Sequence, residues 1–246
     1  MPSKPLNIKL TWTDDPQKEL SLMFAAVTIN MGAGQIAVSS MRSINGLGLL
    51  HSMLAVQKHA KQVAQSAHAT EEELSDLKFH ELTHKVLSDS ARGATGAAGI
   101  IYAHAIVDAA LHKLCEISAS IDSASWAPFI KDRKVSFQES KANPSQLEER
   151  LICGYLQQLE RESLITKGDI LFKIVRPMST RGVIKGFRYS REKLVELDQL
   201  RHDLVHKMAF CRNIRQPAAK AEYLFKVGNF FHNLVARHYG VHHVGT

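Results

Sequence analysis

The segment that ends at residue 206 carries leucines at helical spacing, at Leu194, Leu197, Leu200 and Leu204. A period of three to four residues places all four on one side of an α-helix, which predicts an amphipathic helix with one buried face. Ser190 stands where the N-cap of this helix is expected. A leucine face has to pack against other elements, so the pattern favours a bundle of helices.

Helix start and stop signals recur along the rest of the chain. Asp15-Pro16 and the capping box Thr70–Glu73 are typical of helix N-termini, and Pro217 opens a further helix. Together with the apolar periodicity, these signals predict helices over residues 15–67 with a break at 45–48, and over 70–90, 100–117, 145–162, 190–206 and 217–238. Glycines 93, 96 and 99 are expected to interrupt the chain before the third of these helices.

The sum of these signals predicts an all-α fold, a helical bundle of about six helices. One segment differs, because an apolar run over 170–175 lies between Gly168 and Pro177 and indicates either a short hairpin around residues 168–187 or a loop that crosses the helices. We expect residues 1–92 to form an N-terminal helical extension packed on the core and residues 93–246 to form the main helical domain.

The leucine-bearing helix also carries the residues Arg201-His202-Asp203-Leu204-Val205-His206. An imidazole of near-neutral pKa can move a proton, and a fixed cation can stabilise negative charge that develops in a reaction. His202 and His206 are of the first kind, and Arg201 is of the second. Basic residues near a helix C-terminus also favour the helix dipole, which requires no catalytic function.

This pattern resembles the R-polar-x-x-x-H signature of the HEPN superfamily, whose members are small all-helical proteins, commonly dimeric and often metal-independent ribonucleases. The resemblance covers residues 93–246 and implies catalytic roles for Arg201, His202 and His206 without a cofactor. It also implies RNA as substrate, a homodimer, and Asp108 as a supporting acid on the first core helix. A catalytically silent HEPN module that binds RNA or dimerises is the alternative within the same family.

The same resemblance implies a toxin or phage-defence effector with an antitoxin or other regulatory partner. One toxin branch, which pairs with a nucleotidyltransferase antitoxin, has a tyrosine two residues after the histidine, and Met208 stands there instead. The resemblance therefore does not extend to that branch.

Helix geometry separates the two main motif residues. Five residues at about 100° each place Arg201 and His206 roughly 140° apart around a regular helix. Either the helix loosens before His206, or a two-fold axis brings Arg201 and His206 from two subunits into one groove. His202 and His206 share a face and could together bind a metal, but no third ligand is evident, so a metal site is not predicted here.

The charge balance favours a polyanionic partner. The chain of 246 residues has 31 Lys and Arg against 24 Asp and Glu, a net charge of +7 and a pI near 9.3. Basic residues are frequent around the motif, which predicts RNA contacts from Arg191, Lys207, Arg212 and Arg215. A solvated helix face with basic loops explains the same residues without RNA.

A second motif competes with the first, because His80-Glu81-Leu82-Thr83-His84 matches the H-E-x-x-H of zinc peptidases. On a helix, His80 and His84 present two zinc ligands to one side, and Glu81 is placed to act as general base. The third ligand is missing from any familiar spacing, with Glu116 and His104 as the nearest candidates. A zinc metalloprotease therefore stays open as an alternative function.

Several enzyme motifs are absent from the sequence. No P-loop, dinucleotide-binding glycine motif or nucleophile elbow is present, so the sequence does not support nucleotide hydrolysis, dinucleotide binding or serine hydrolysis. Three widely spaced cysteines predict no disulfide framework, in keeping with a cytoplasmic protein. The uncharged stretch 20–41 approaches the length of a membrane span, but its polar residues favour a buried bundle helix, so no membrane partner is predicted.

Overall fold

The structure, a computed structural model, describes residues 17–40, 71–130, 144–177, 182–207 and 214–241, with side chains described from residue 93 in the second range and from residue 146 in the third. Within these ranges every regular element is helical and none is a strand. The predicted all-α class is therefore confirmed.

The α-helices, in chain order, are α1 (Gln17–Ser40), α2 (Glu71–Ile121), α3 (Ala127–Ile130), α4 (Pro144–Leu159), α5 (Leu164–Val175), α6 (Arg191–His206) and α7 (Pro217–His238). A 3-10 turn over Ser123–Trp126 leads into α3. The predicted bounds of α6 and α7 are confirmed. The start signals at Asp15, Pro16 and Thr70 and the break at 45–48 lie outside the described residues.

Helix α2 corrects one expectation, because it continues through glycines 93, 96 and 99 for 51 residues. Gly96 allows close packing rather than a break, whereas a side chain at Gly99 would make an ordinary contact. A Cβ atom at Gly96 would approach the ring of Pro217 to 2.9 Å, and one at Gly99 would meet Val38 at 3.6 Å. The boundary predicted between residues 92 and 93 falls inside this helix.

The hairpin predicted around 168–187 is also wrong, because residues 164–175 form helix α5. Ser163 caps the helix by accepting a hydrogen bond from the backbone N–H of Thr166 at 3.2 Å. Gly168 faces Phe231, and a Cβ atom there would come within 2.9 Å of its ring. The apolar run that favoured a strand is the densely buried face of a helix, which ends before Pro177 with Arg176 in a left-handed conformation.

The described residues fall into two compact units, and α1, α2 and α7 each supply residues to both. The first unit draws on Met1–Met31, Asp108–Tyr189 and Gly228–Thr246. Its core contains a cluster of aromatic rings from α5, α7 and the segment before α6. Tyr189 stacks on Phe230 with centroids 5.2 Å apart, and Phe172 meets Phe231 edge-on at 5.0 Å.

The second unit draws on Gly32–Val107 and Ser190–Val227, and it contains the motif helix α6. Its core is mainly aliphatic, with fully buried side chains from α2, α6 and α7: Ile100, Val107, Leu194, Leu204, Leu224 and Val227. A Cβ atom at Gly34 of α1 would collide with Ile106, so glycine permits a close approach of α1 to α2. The buried leucines of α6, Leu194 and Leu204, fix this helix in the core of the unit.

Candidate functional site

Helix α6 starts where the sequence predicted, at an N-cap that is tied to a neighbouring helix. The Ser190 hydroxyl accepts a hydrogen bond from the backbone N–H of Lys193 at 3.1 Å. The hydroxyl of Tyr223 on α7 donates to the carbonyl of Ser190 and accepts from its N–H, both at 3.1 Å. Burial raises the pKa of Tyr223, so the hydroxyl remains protonated for this contact.

Arg201 lies on the packed face of α6 rather than on its solvent face. It continues the stripe formed by Leu194, Leu197 and Leu204, with spacings of three, four and three residues, and all three leucines are buried. The arginine itself is half-buried. Among the described residues, no carboxylate or backbone oxygen pairs with its guanidinium. A half-buried cation without a counter-ion costs free energy, so this position is poorly suited to stability alone.

His202 and His206 are both exposed, and their ring centroids lie 4.3 Å apart. Helix α6 stays regular through His206, because the N–H of Lys207 donates to the carbonyl of Asp203 at 3.0 Å. The helix therefore does not loosen before His206. Within one chain, Arg201 faces the core side and His206 faces solvent, so the regular helix does not bring the two side chains together.

The last turn of α6 is held by its own side chains. Lys207 forms an ion pair with Asp203 at 2.9 Å, and Gln199 donates a hydrogen bond to the same carboxylate at 3.0 Å. The hydrogen bond from Lys207, followed by that from Gln199, lowers the pKa of Asp203. Of the other predicted RNA contacts, Arg191 and Arg215 are exposed, whereas Arg212 lies outside the described residues.

A buried histidine contacts α6 just ahead of the motif. His104 on α2 is only 6% exposed, and its Nε2 atom lies 2.8 Å from Oδ1 of Asp198. Asp198 is three residues before Arg201 and four before His202, so the contact fixes α6 against α2 one turn ahead of both. Sequence analysis did not assign this pair, although a histidine within an otherwise apolar helix was a signal for it.

The predicted supporting acid, Asp108, has a lysine partner in the first unit. Lys167 on α5 is 1% exposed and donates to both oxygens of Asp108, at 2.7 and 2.8 Å. Its third proton goes to the carbonyl of Glu160 at 3.1 Å. The neighbouring thiol of Cys115 is buried, which raises its pKa well above the usual range despite the positive charge of Lys167.

The rival motif lies on α2, where His80, Glu81 and His84 occupy helical positions whose side chains are not described. Both candidate third ligands have partners, since His104 bonds Asp198 and Glu116 accepts from Lys113 at 2.7 Å. His112 lies 3.4 Å from Glu116. Its hydrogen bond, with further help from Lys113, lowers the pKa of Glu116 to about 2. Within the described part of the chain, no group of three His, Cys, Asp or Glu could hold a metal.

Two of the described helical stretches, Gln17–Ser40 and Gly93–Ile121, are long and apolar enough to cross a membrane by length and composition. The first buries Phe24, Val27, Met31 and Val38 on one side and exposes Leu22, Ile29 and Ile36 on the other, so it is only partly the buried helix that the sequence favoured. The core helix of a soluble protein passes the same test.

Comparisons with known proteins found no matching family model, no similar curated protein and no similar solved structure. The HEPN resemblance therefore rests on the residues of α6 and on their setting in an all-α fold.

Proposed function

We propose that the chain is a homodimeric, metal-independent endoribonuclease of HEPN type. The observation that carries the proposal is Arg201, a half-buried arginine on the packed face of α6 with no anionic partner among the described residues. A phosphate group suits such an arginine, because the guanidinium can donate two parallel hydrogen bonds to it, as it can to a carboxylate. Exposed histidines on the same helix supply the proton-transfer chemistry that RNA cleavage needs.

The regular course of α6 supports a two-chain site. Arg201 and His206 of one chain face different directions, so a groove that contains both takes one residue from each of two copies. The exposed position of His206 and the half-exposed position of Arg201 leave both side chains accessible to a second copy.

In the proposed mechanism, His206 accepts the proton of the 2′-hydroxyl, and the resulting oxygen attacks the adjacent phosphorus. Arg201 stabilises the extra negative charge of the phosphorane, and His202 orients the reacting groups or assists proton transfer. A protonated His206 or His202 gives a proton to the leaving 5′-oxygen, and the product ends in a 2′,3′-cyclic phosphate, which water can then open to a 3′-phosphate. DNA lacks the 2′-hydroxyl and is not a substrate.

The proposal also gives an RNA-binding role to basic residues on and near α6. Arg191, Lys207, Arg212 and Arg215 are assigned to the RNA backbone, which their charge attracts in a salt-dependent way. The same proposal places the protein in the cytoplasm, as a toxin or phage-defence effector whose RNA cleavage arrests growth until a partner restrains it.

The direct test is incubation of the purified protein with total RNA in excess EDTA. We expect wild type to cleave RNA, His206→Ala to lose cleavage by about 10²- to 10⁴-fold, and His238→Ala, an exposed histidine on α7, to match wild type. Glu81→Ala serves as the control for the rival motif and should also cleave.

Two results would overturn the proposal. One is cleavage of DNA at a rate comparable to RNA, since the mechanism requires the 2′-hydroxyl. The other is an inactive wild type that contains zinc, with the zinc lost on changing His80 or His84, which would favour the metalloprotease alternative.

A further inference from the structure

Two exposed imidazoles lie one helical turn apart on α6. The ring centroids of His202 and His206 are separated by 4.3 Å, and positions four apart on a helix project to the same side. In the described part of the chain, no hydrogen bond or ion pair holds either ring. Both rings can therefore turn toward one shared ligand without breaking an existing contact.

Imidazole nitrogen is a preferred ligand of Zn²⁺, which it binds at about 2.0–2.1 Å. Rings this close bring one nitrogen from each within reach of a single ion after small side-chain rotations. The charges on the same helix do not oppose the ion strongly. Asp198 and Asp203 lie four residues before and one residue after His202, and they offset Arg201 and Lys207.

We propose that His202 and His206 form a two-ligand clamp for Zn²⁺ that switches cleavage off. No described group of three possible ligands is arranged around a metal, so water completes the coordination shell of the bound ion. Zinc occupies the imidazole lone pair that His206 uses to accept a proton, and cleavage stops until the metal is removed. The binding follows from the geometry of α6, whereas the inhibition rests on the proposed function.

Equilibrium dialysis against Zn²⁺ at neutral pH tests the clamp without any assay of activity. We expect wild type to hold one more Zn²⁺ per chain than His202→Ala, and His206→Ala to show the same loss. His80→Ala/His84→Ala removes the other helical pair four residues apart, and it should keep the zinc of the clamp. Equal zinc binding by wild type and His202→Ala would overturn the clamp, as would loss of that zinc in the His80/His84 variant alone.

To test the inhibition, we would measure how fast wild type cleaves total RNA at two stages. The first stage follows addition of one equivalent of Zn²⁺ beyond any other bound zinc, and the second follows addition of EDTA. Suppression by zinc and recovery with EDTA would support it. Full cleavage with the clamp occupied would overturn the inhibition and leave the binding site intact. Zinc binding at His202 and His206 in a protein that cleaves no RNA, with or without EDTA, would support the clamp and contradict the proposed ribonuclease.

Discussion

Two cations on packed helices, Lys167 and Arg201, differ in the hydrogen-bond acceptors that surround them. Lys167 on α5 is 1% exposed, yet each of its three protons has an acceptor, two on Asp108 and one on the carbonyl of Glu160. Arg201 on α6 lies on a face with three buried leucines, is half-buried, and has no acceptor among the described residues.

The difference separates a structural cation from a cation that is available to a ligand. A buried charge contributes to a unique fold when its hydrogen bonds are complete, as those of Lys167 are. Leucine or methionine would pack at the position of Arg201 with less cost, and the proposed ribonuclease would supply the arginine with a phosphate to bind. We therefore expect a change at Lys167 to affect stability and a change at Arg201 to affect RNA cleavage.

The largest expected effect is on catalysis. Arg201→Met should lower RNA cleavage by about 10²- to 10³-fold, because it removes the charge that stabilises the phosphorane. The free energy of unfolding should stay the same or rise slightly, since a half-buried cation without a partner is replaced by an apolar chain. Cleavage rates and urea denaturation measure both quantities. Arg161→Met, at an exposed arginine in the first unit, is the control. A clear loss of stability in Arg201→Met would mean that the arginine has a structural partner.

Lys167→Met should show the reverse pattern. It leaves Asp108 without its cation, and we expect the free energy of unfolding to fall by about 2–4 kcal/mol. The loss stays below that of a fully buried pair, because the side chain of Asp108 is 29% exposed. Lys173→Met, at an exposed lysine on the same helix, should change stability little. Unchanged denaturation of Lys167→Met would show that the ion pair contributes nothing net.

Asp198→Ala tests which contact anchors the motif helix α6. The change leaves the ring nitrogen of buried His104 without its acceptor, and an unsatisfied buried group costs about 1–3 kcal/mol. Asp203→Ala, on the same helix, removes a contact to the exposed Lys207 and should cost less than Asp198→Ala. Thermal or urea denaturation of the two variants decides the point. A larger loss in Asp203→Ala would place the anchor of α6 at its last turn rather than at His104.

The smallest effect depends on pH. The pKa of Glu116 falls from 4.5 to about 2 in the folded protein, so its ionised form stabilises the fold above about pH 4.5. That contribution declines as the pH falls toward 2. We expect Glu116→Gln to lower the free energy of unfolding by about 1–2 kcal/mol at neutral pH and to match wild type near pH 2. Glu196→Gln, at an exposed position, is the control. A difference that grows on acidification would contradict the assigned sign.

Local chemistry made part of the fold predictable. Ser190 and Pro217 mark helix starts through contacts within a few residues, so the bounds of α6 and α7 followed from the sequence. The continuous course of α2 and the helical state of α5 depended on distant partners. Gly96 packs against Pro217 and Gly168 against Phe231, and neither contact can be read from neighbouring residues. The motif positions followed from the sequence, whereas the contact between His104 and Asp198 spans 94 residues and needed the structure.

In the proposed dimer, each of two equivalent RNA-cleaving grooves takes Arg201 from one chain and His206 from the other. We would test this arrangement by mixing the inactive variants Arg201→Ala and His206→Ala under conditions of subunit exchange. Random exchange gives mixed dimers in half of the population, and half of their grooves contain both residues, so cleavage should recover to about one quarter of wild type. A mixture no more active than the separate variants, in a protein whose wild type cleaves RNA and whose subunits exchange, would contradict the shared groove.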